Sequence, residues 1–179
     1  MLDKNKVSLV IVDIQGKLAQ LMYEKELFFA NVGRMIKGAR LLEFPIFWNE
    51  QVPDKLGETV PEVKEYLTDM NPMVKKTFSC CGNPDFVSVL KDSGRKQVLL
   101  VGMETHICVL QTARDLLNEG YEVHLVTDAV SSRFKSNKKL GIEVMKDLGC
   151  RLTSVEMALF EMFNVAEGDT FREMIKIVK

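Results

Sequence analysis

The chain has 179 residues, 46% of them hydrophobic and 27% charged, and a formal net charge of −1. That length suits one domain, residues 1–179, with a sizeable core. The near-neutral balance gives no electrostatic reason to expect nucleic acid or an acidic membrane surface as partner. No apolar run nears the roughly 20 residues of a membrane span, and no apolar leader with a small-residue cleavage site opens the sequence. The four cysteines, Cys80, Cys81, Cys108 and Cys150, match neither a zinc finger nor a Cys-x-x-Cys pair. Reduced thiols in a cytoplasmic protein are the simplest expectation.

Val7 to Val12 is a near-continuous apolar run ending at Asp13, the pattern of a strand covered on both faces of a parallel sheet. A helix is predicted from Glu24 to Leu42, with Leu27, Val32, Met35, Ala39 and Leu42 near one face. Pro45 ends it, and "IFWN" reads as a second strand. Residues 50–72 carry Pro53, Gly57, Pro61 and Pro72, so they form the longest irregular segment, with a short helix from Pro61 to Tyr66. Long loops in compact domains are often functional. "MVKKTF" is the third strand. The next helix is punctuated by Asn83 as cap, Pro84 at its first position and Gly94 at its exit. Val98 to Val101 is the fourth strand, and Cys108 to Glu119 the helix after it. "YEVHLVTDA" is the fifth strand, Ser136 to Leu148 a helix closed by Gly149, and "CRLTS" the sixth. Thr153 to Glu156 reads as a capping box. A last helix covers about Thr170 to Val178. Its apolar residues Phe171, Met174, Ile175 and Ile177 suit either a subunit interface or docking on the chain's own body.

Strands alternating with helices predict an α/β fold. Its expected form is a three-layer α/β/α, Rossmann-like arrangement with a six-stranded, mostly parallel sheet and helices on both faces. Ligands in such folds bind beyond the carboxyl ends of the strands, near the switch point of strand order. That rule selects Asp13, after the first strand, and Cys108, after the fourth. "DIQGKL" has a single glycine, so no dinucleotide fingerprint follows the first strand, and the sequence holds no P-loop.

Cys108 falls in the first turn of its predicted helix, where free N–H groups and the helix dipole favour an anion and lower a thiol pKa. The same position also suits a small buried filler. Asp13 is placed to take and return a proton, or to serve as an ordinary turn residue. Lys75 and Lys76 sit in an otherwise apolar strand and face opposite ways. One of them is placed to hold a thiolate and a carboxylate ionised; an edge strand guarded by lysine is the other reading.

Three stretches resemble the isochorismatase-like cysteine hydrolases: "LVIVDIQGKL", "VKKTFS" and "VGMETHICVLQTARDLLNEGYEVHLVTDAVSSR". The likeness spans about Lys6 to Phe163 and is most similar to the isochorismatase-domain-containing proteins. It implies Cys108 as nucleophile, Asp13 as general base, and Lys75, four residues before Ser79, as the catalytic cation, with Lys76 second. It also implies a cis peptide between Met103 and Glu104 that turns the Glu104 N–H beside that of Cys108 as an oxyanion hole. Gln15, Trp48, Glu50, Phe78 and His106 are the expected substrate contacts, with Phe47 and the 50–60 loop around them. Metal-binding relatives carry an Asp-x-His after the second strand, where this chain reads "WNEQVPDKLGETVPE". Its two histidines, His106 and His124, lie elsewhere, so neither metal nor cofactor is expected. The implied activity is hydrolysis of a small amide or related C–N bond through a thioester, by a protein that forms homo-oligomers. Two rival readings stand beside it. One is a binding protein on the same fold; the other is a thiol redox sensor that pairs Cys108 with Cys80 or Cys81.

Overall fold

The computed structural model describes residues 1–179. Its strands are β1 (Val7–Val12), β2 (Ile46–Gln51), β3 (Met73–Lys75), β4 (Gln97–Met103), β5 (Glu122–Ser131) and β6 (Arg151–Thr153). They form one sheet in the order β3-β2-β1-β4-β5-β6, and every neighbouring pair is parallel. The order reverses between β1 and β4, so a crevice opens at their carboxyl ends. The helices are α1 (Gly16–Ala19), α2 (Lys25–Leu41), α3 (Pro53–Leu56), α4 (Pro61–Lys64), α5 (Pro84–Asp92), α6 (Leu110–Asn118), α7 (Lys135–Asp147), α8 (Val155–Glu161) and α9 (Asp169–Val178). None is long and apolar enough to cross a membrane.

Side-chain alternation along the strands sorts the core into two layers. Leu9, Ile11, Leu99 and Val101 face α2, α8 and α9; Val10, Val12, Val98 and Leu100 face α5, α6 and α7. The amphipathic α9 lays Met174 into the first layer, and Phe171 stacks edge-on against Phe160 and Phe163. Its apolar face is therefore spent within the chain.

Several predicted boundaries move, each for a local reason. In α2 the buried stripe runs through Phe28, Phe29, Val32, Met35, Ile36 and Ala39, and Leu27 turns out to solvent. Strand β3 stops at Lys75, and residues 76–79 bend away to bring Ser79 and Cys80 under α6. Tyr121 is not in β5, because its N–H closes α6 on the Leu116 carbonyl past Gly120, at φ 79°. The cap of α8 is Ser154, which accepts from the Met157 N–H, so the Thr153–Glu156 box is one residue out of register. The Cys108 helix is divided: Thr105–Val109 is a π-turn, and the α-helix begins only at Leu110.

Candidate functional site

Three strand ends converge on the crevice. Asp13 follows β1 in a left-handed conformation, φ 50°, which is costly for a residue with a Cβ and holds only where the surroundings dictate it. Lys75, the last residue of β3, reaches across β2 to place Nζ 2.5 Å from Asp13 Oδ2. It also donates to the Thr77 and Phe78 carbonyls, each at 2.9 Å, so all three ammonium protons are used. Lys76 lies in the bend just past the end of β3 and is exposed. The pair is buried, with side chains 0% and 5% exposed, and Asp13 Oδ1 has no hydrogen-bond partner. Burial raises the Asp13 carboxyl to about 6 against the pull of Lys75 and of the Cys108 thiol.

Cys108 sits in the π-turn after β4. The Val109 N–H reaches the Glu104 carbonyl five residues back, and such turns recur at functional sites. The peptide joining Met103 to Glu104 is cis. The Glu104 main chain favours the Cys108 thiolate. Gly141 of α7 packs on this turn; a Cβ there would lie 3.0 Å from the His106 backbone. The thiol donates to Gln51 Oε1 at 3.6 Å. Burial, then the Asp13 charge, pushes it up to about 12, with Lys75 opposing. The resting group is therefore a protonated thiol. The expected lowering by a helix terminus loses to desolvation, because the α-helix proper starts two residues later.

Asp13 and Cys108 share a cavity of about 330 Å³ with mostly apolar walls: Leu18, Val52, Leu56, Phe78, Met103 and Ile107. Gln15, Gln51, Lys55 and Glu104 complete the lining. The Glu104 carboxylate is engaged by Arg133 at 3.1 Å.

Of the expected substrate contacts, Phe78 and Gln15 reach the cavity, and Trp48, Glu50 and His106 do not. Trp48 lies in the core and donates its indole N–H to Thr59 Oγ1 at 2.9 Å. Glu50 accepts from the Thr59 N–H and hydroxyl at 2.6 and 2.7 Å. Both residues face the α2 side of β2, away from Cys108. His106 turns toward α7, with Ser132 Oγ at 3.0 Å and Asn137 Nδ2 at 3.4 Å from its ring nitrogens. Phe47 packs edge-on against Phe86 in the second core layer. Gln15 touches the cavity, yet its amide is committed to backbone groups of Gln51 and Gly57. Gln51 was not singled out from the sequence. The signal was available, since Gln51 shares a strand face with Phe47 and Asn49, the face toward Cys108. No group of three or more His, Cys, Asp or Glu is placed to hold a metal ion; His124 pairs with Glu122 at 2.6 Å instead.

This architecture recurs among known proteins. The family model described as "Isochorismatase domain" matches residues 7–157. A secreted isochorismatase effector, Isc1, of Phytophthora sojae is 36% identical over 176 residues, which are 96% of this chain and 83% of that protein. The solved structure of the MAR1 ribonuclease of Caenorhabditis elegans superposes with a TM-score of 0.92 at 34% identity, covering 99% of this chain and 91% of that one. The Escherichia coli YcaC gene product, described as an octameric hydrolase of unknown specificity, gives a TM-score of 0.91 at 25% identity over 98% of this chain and 89% of that one. A family match through β1–β6 and a 36% identical relative along nearly the whole length place the crevice of Asp13, Lys75 and Cys108 on a known hydrolase fold: the chain belongs to the isochorismatase family.

Proposed function

We propose that the chain is a metal-independent cysteine hydrolase of a small amide or related C–N substrate. The observation that carries this reading is the unpartnered Asp13 Oδ1, buried at the same cavity wall as the Cys108 thiol, while Oδ2 is held by Lys75. A buried acceptor without a donor is costly, and a proton on its way between sulfur and substrate satisfies it.

In the first step Sγ attacks the carbonyl carbon while its proton passes to Asp13. The C=O electron pair moves onto oxygen, which rests on the N–H groups of Glu104 and Cys108. Collapse breaks the C–N bond, and Asp13 returns the proton to the leaving nitrogen. Water then enters, gives one proton to Asp13 and adds its oxygen to the thioester. The C–S bond breaks and Asp13 hands that proton to sulfur. Amide and water become acid and amine, and no electron leaves the system. A thiol at about 12 facing a carboxyl at about 6 holds little free thiolate, so proton transfer and attack are coupled. Lys75 keeps Asp13 ionised between turnovers.

The apolar walls favour a substrate with an aliphatic or aromatic body and one polar amide end. They suit a phosphodiester poorly, since the buried lysine is spent on Asp13, and this weighs against carrying the C. elegans protein's ribonuclease name over to this chain. The redox-sensor reading is disfavoured by the same burial. Cys108 and Cys80 are both pushed up, whereas sensors use exposed, acidic thiols. The four unpaired cysteines fit a reducing compartment such as the cytoplasm. The octameric E. coli relative supports a homo-oligomer, for which Leu140 and Val144 of α7, with Leu148 at its C-terminal cap, offer an exposed apolar stripe. The test is ammonia release from a panel of small primary amides. Turnover by the wild type that is lost in both Cys108→Ala and Asp13→Asn is expected. Turnover surviving Cys108→Ala overturns the mechanism, and a wild type inert to the whole panel favours the binding-protein reading.

A further inference from the structure

The cavity has a cap, residues 52–57, that contains α3 and supplies Val52, Lys55 and Leu56 to the wall. Inside the cap, main-chain bonds close a single turn: the Lys55 and Leu56 N–H groups donate to the Val52 carbonyl at 2.8 and 3.1 Å, and the Gly57 N–H donates to the Pro53 carbonyl at 2.8 Å. The α3 helix is four residues long and has no side-chain cap, and Val52 enters it at φ 38°, which a β-branched residue adopts only when its surroundings impose it. Two groups from outside hold the cap: the Lys75 carbonyl accepts from the Val52 N–H at 3.0 Å, and Gln15, 1% exposed, ties the residues on either side. Its Nε2 donates to the Gln51 carbonyl at 3.1 Å, just before the cap, and to the Gly57 carbonyl at 2.7 Å, at its end. Its Oε1 accepts from the Gln51 N–H at 2.6 Å. Around this clasp the Gly16 N–H donates to the Glu58 carbonyl at 3.0 Å, and a Cβ on Gly16 would stand 1.9 Å from the Leu56 carbonyl oxygen. Gln51, fixed by Gln15 through its main chain, is the residue whose side chain accepts from the Cys108 thiol at 3.6 Å.

We propose that Gln15 is a positioning residue: it clasps both ends of the cap to the end of β1 and, through Gln51, sets the direction of the Cys108 thiol. Its effect on turnover rests on the hydrolase reading, but its effect on the cap does not.

The experiment compares the wild type with Gln15→Glu, which keeps the bond from the Gln51 N–H and loses the two donated ones, and with Gln15→Met, which loses all three. Native-state trypsin cleavage after Lys55 reads the cap, and alkylation of Cys108 by iodoacetamide, followed by intact mass, reads the thiol. Cleavage after Lys55 should quicken roughly tenfold, the factor that one or two lost hydrogen bonds give, while cleavage elsewhere stays constant and Cys108 alkylation rises severalfold. The inference is overturned if a folded Gln15→Met matches the wild type in both readouts, or if cleavage rises equally along the chain. It is also overturned if both variants fail to fold, which would make Gln15 an ordinary core residue. Failure of the hydrolase reading would show separately, as no amide turnover by the wild type while the cap readouts still distinguish the variants.

Discussion

Lys75 Nζ stands 2.5 Å from Asp13 Oδ2, with both side chains out of water, and the two residues are 62 positions apart in the chain. A buried pair of this kind is costly to break from one side, because the remaining charge is left unpaired. Lys75→Met should therefore destabilise the protein by about 3–5 kcal/mol and abolish turnover. The double variant Lys75→Met/Asp13→Asn should recover part of that stability without recovering activity. Urea unfolding of the four species, closed as a double-mutant cycle, measures the coupling. A cycle that closes to zero would mean the ion pair does not organise the site.

The Asp13 carboxyl titrates at about 6 in the fold because burial outweighs Lys75, against its ordinary 3.8. A carboxyl raised in the folded state contributes stability that is fully present below 3.8 and is lost as pH rises through about 6. The stability difference between wild type and Asp13→Asn should accordingly shift against the wild type across that window, as followed by urea unfolding at several pH values. In the proposed mechanism turnover runs the other way, since Asp13 must be ionised to take the thiol proton. The pH profile of kcat/KM should rise through about 6 and show no thiol limb at neutral pH, the Cys108 thiol lying near 12. A profile that falls between pH 5 and 7 would mean that the protonated carboxyl is the active form and would remove Asp13 as the general base.

Much of this was legible in the sequence, because the signals were periodic or positional. Apolar runs ending at Asp13 and after Val101 mark doubly covered strands, and their carboxyl ends flank the reversal in strand order. Strand alternation predicts that Lys75 and Lys76 face opposite ways, and only the resemblance prefers Lys75; they do part, but because β3 ends at Lys75 and the chain bends at Lys76. What stayed hidden depends on contacts distant in sequence. A π-turn differs from an α-turn by one shifted hydrogen bond, and no composition marks it. The direction of the Cys108 pKa depends on how much protein covers the sulfur, which the position of a helix start does not reveal. Trp48 and Glu50 lie on the wrong face of β2, where Thr59 satisfies both. Gln15 reads as a substrate contact until the fold brings Gln51 and Gly57 to its amide.

Gly102 sits where β4 passes the end of β1, at φ 127°, and a Cβ there would stand 2.2 Å from the Val12 carbonyl oxygen. The clash is with backbone, so no rotamer change relieves it. Gly102→Ala should cost several kcal/mol, about the size seen for strain at a special backbone conformation combined with overpacking. The carboxyl ends of β1 and β4 should lose order, visible as faster hydrogen exchange at Asp13 and Met103. Unchanged unfolding in urea would show that β1 and β4 can part without consequence.

Gly141 offers a gentler probe of the turn that carries Cys108. It lies within α7 at ordinary helical geometry, and a Cβ there would meet the His106 main chain at 3.0 Å and the Thr105 carbonyl carbon at 3.1 Å. Alanine favours the helix itself by up to about 1 kcal/mol, so the helical gain partly offsets the contact. Gly141→Ala should therefore change overall stability by no more than about 1 kcal/mol. The displaced turn carries Cys108 away from Asp13, and a misplacement of even a few tenths of an ångström weakens coupled proton transfer and attack. Turnover should fall about tenfold or more at nearly constant melting temperature. Full activity in a folded Gly141→Ala protein would mean that the turn tolerates displacement and that α7 does not fix Cys108.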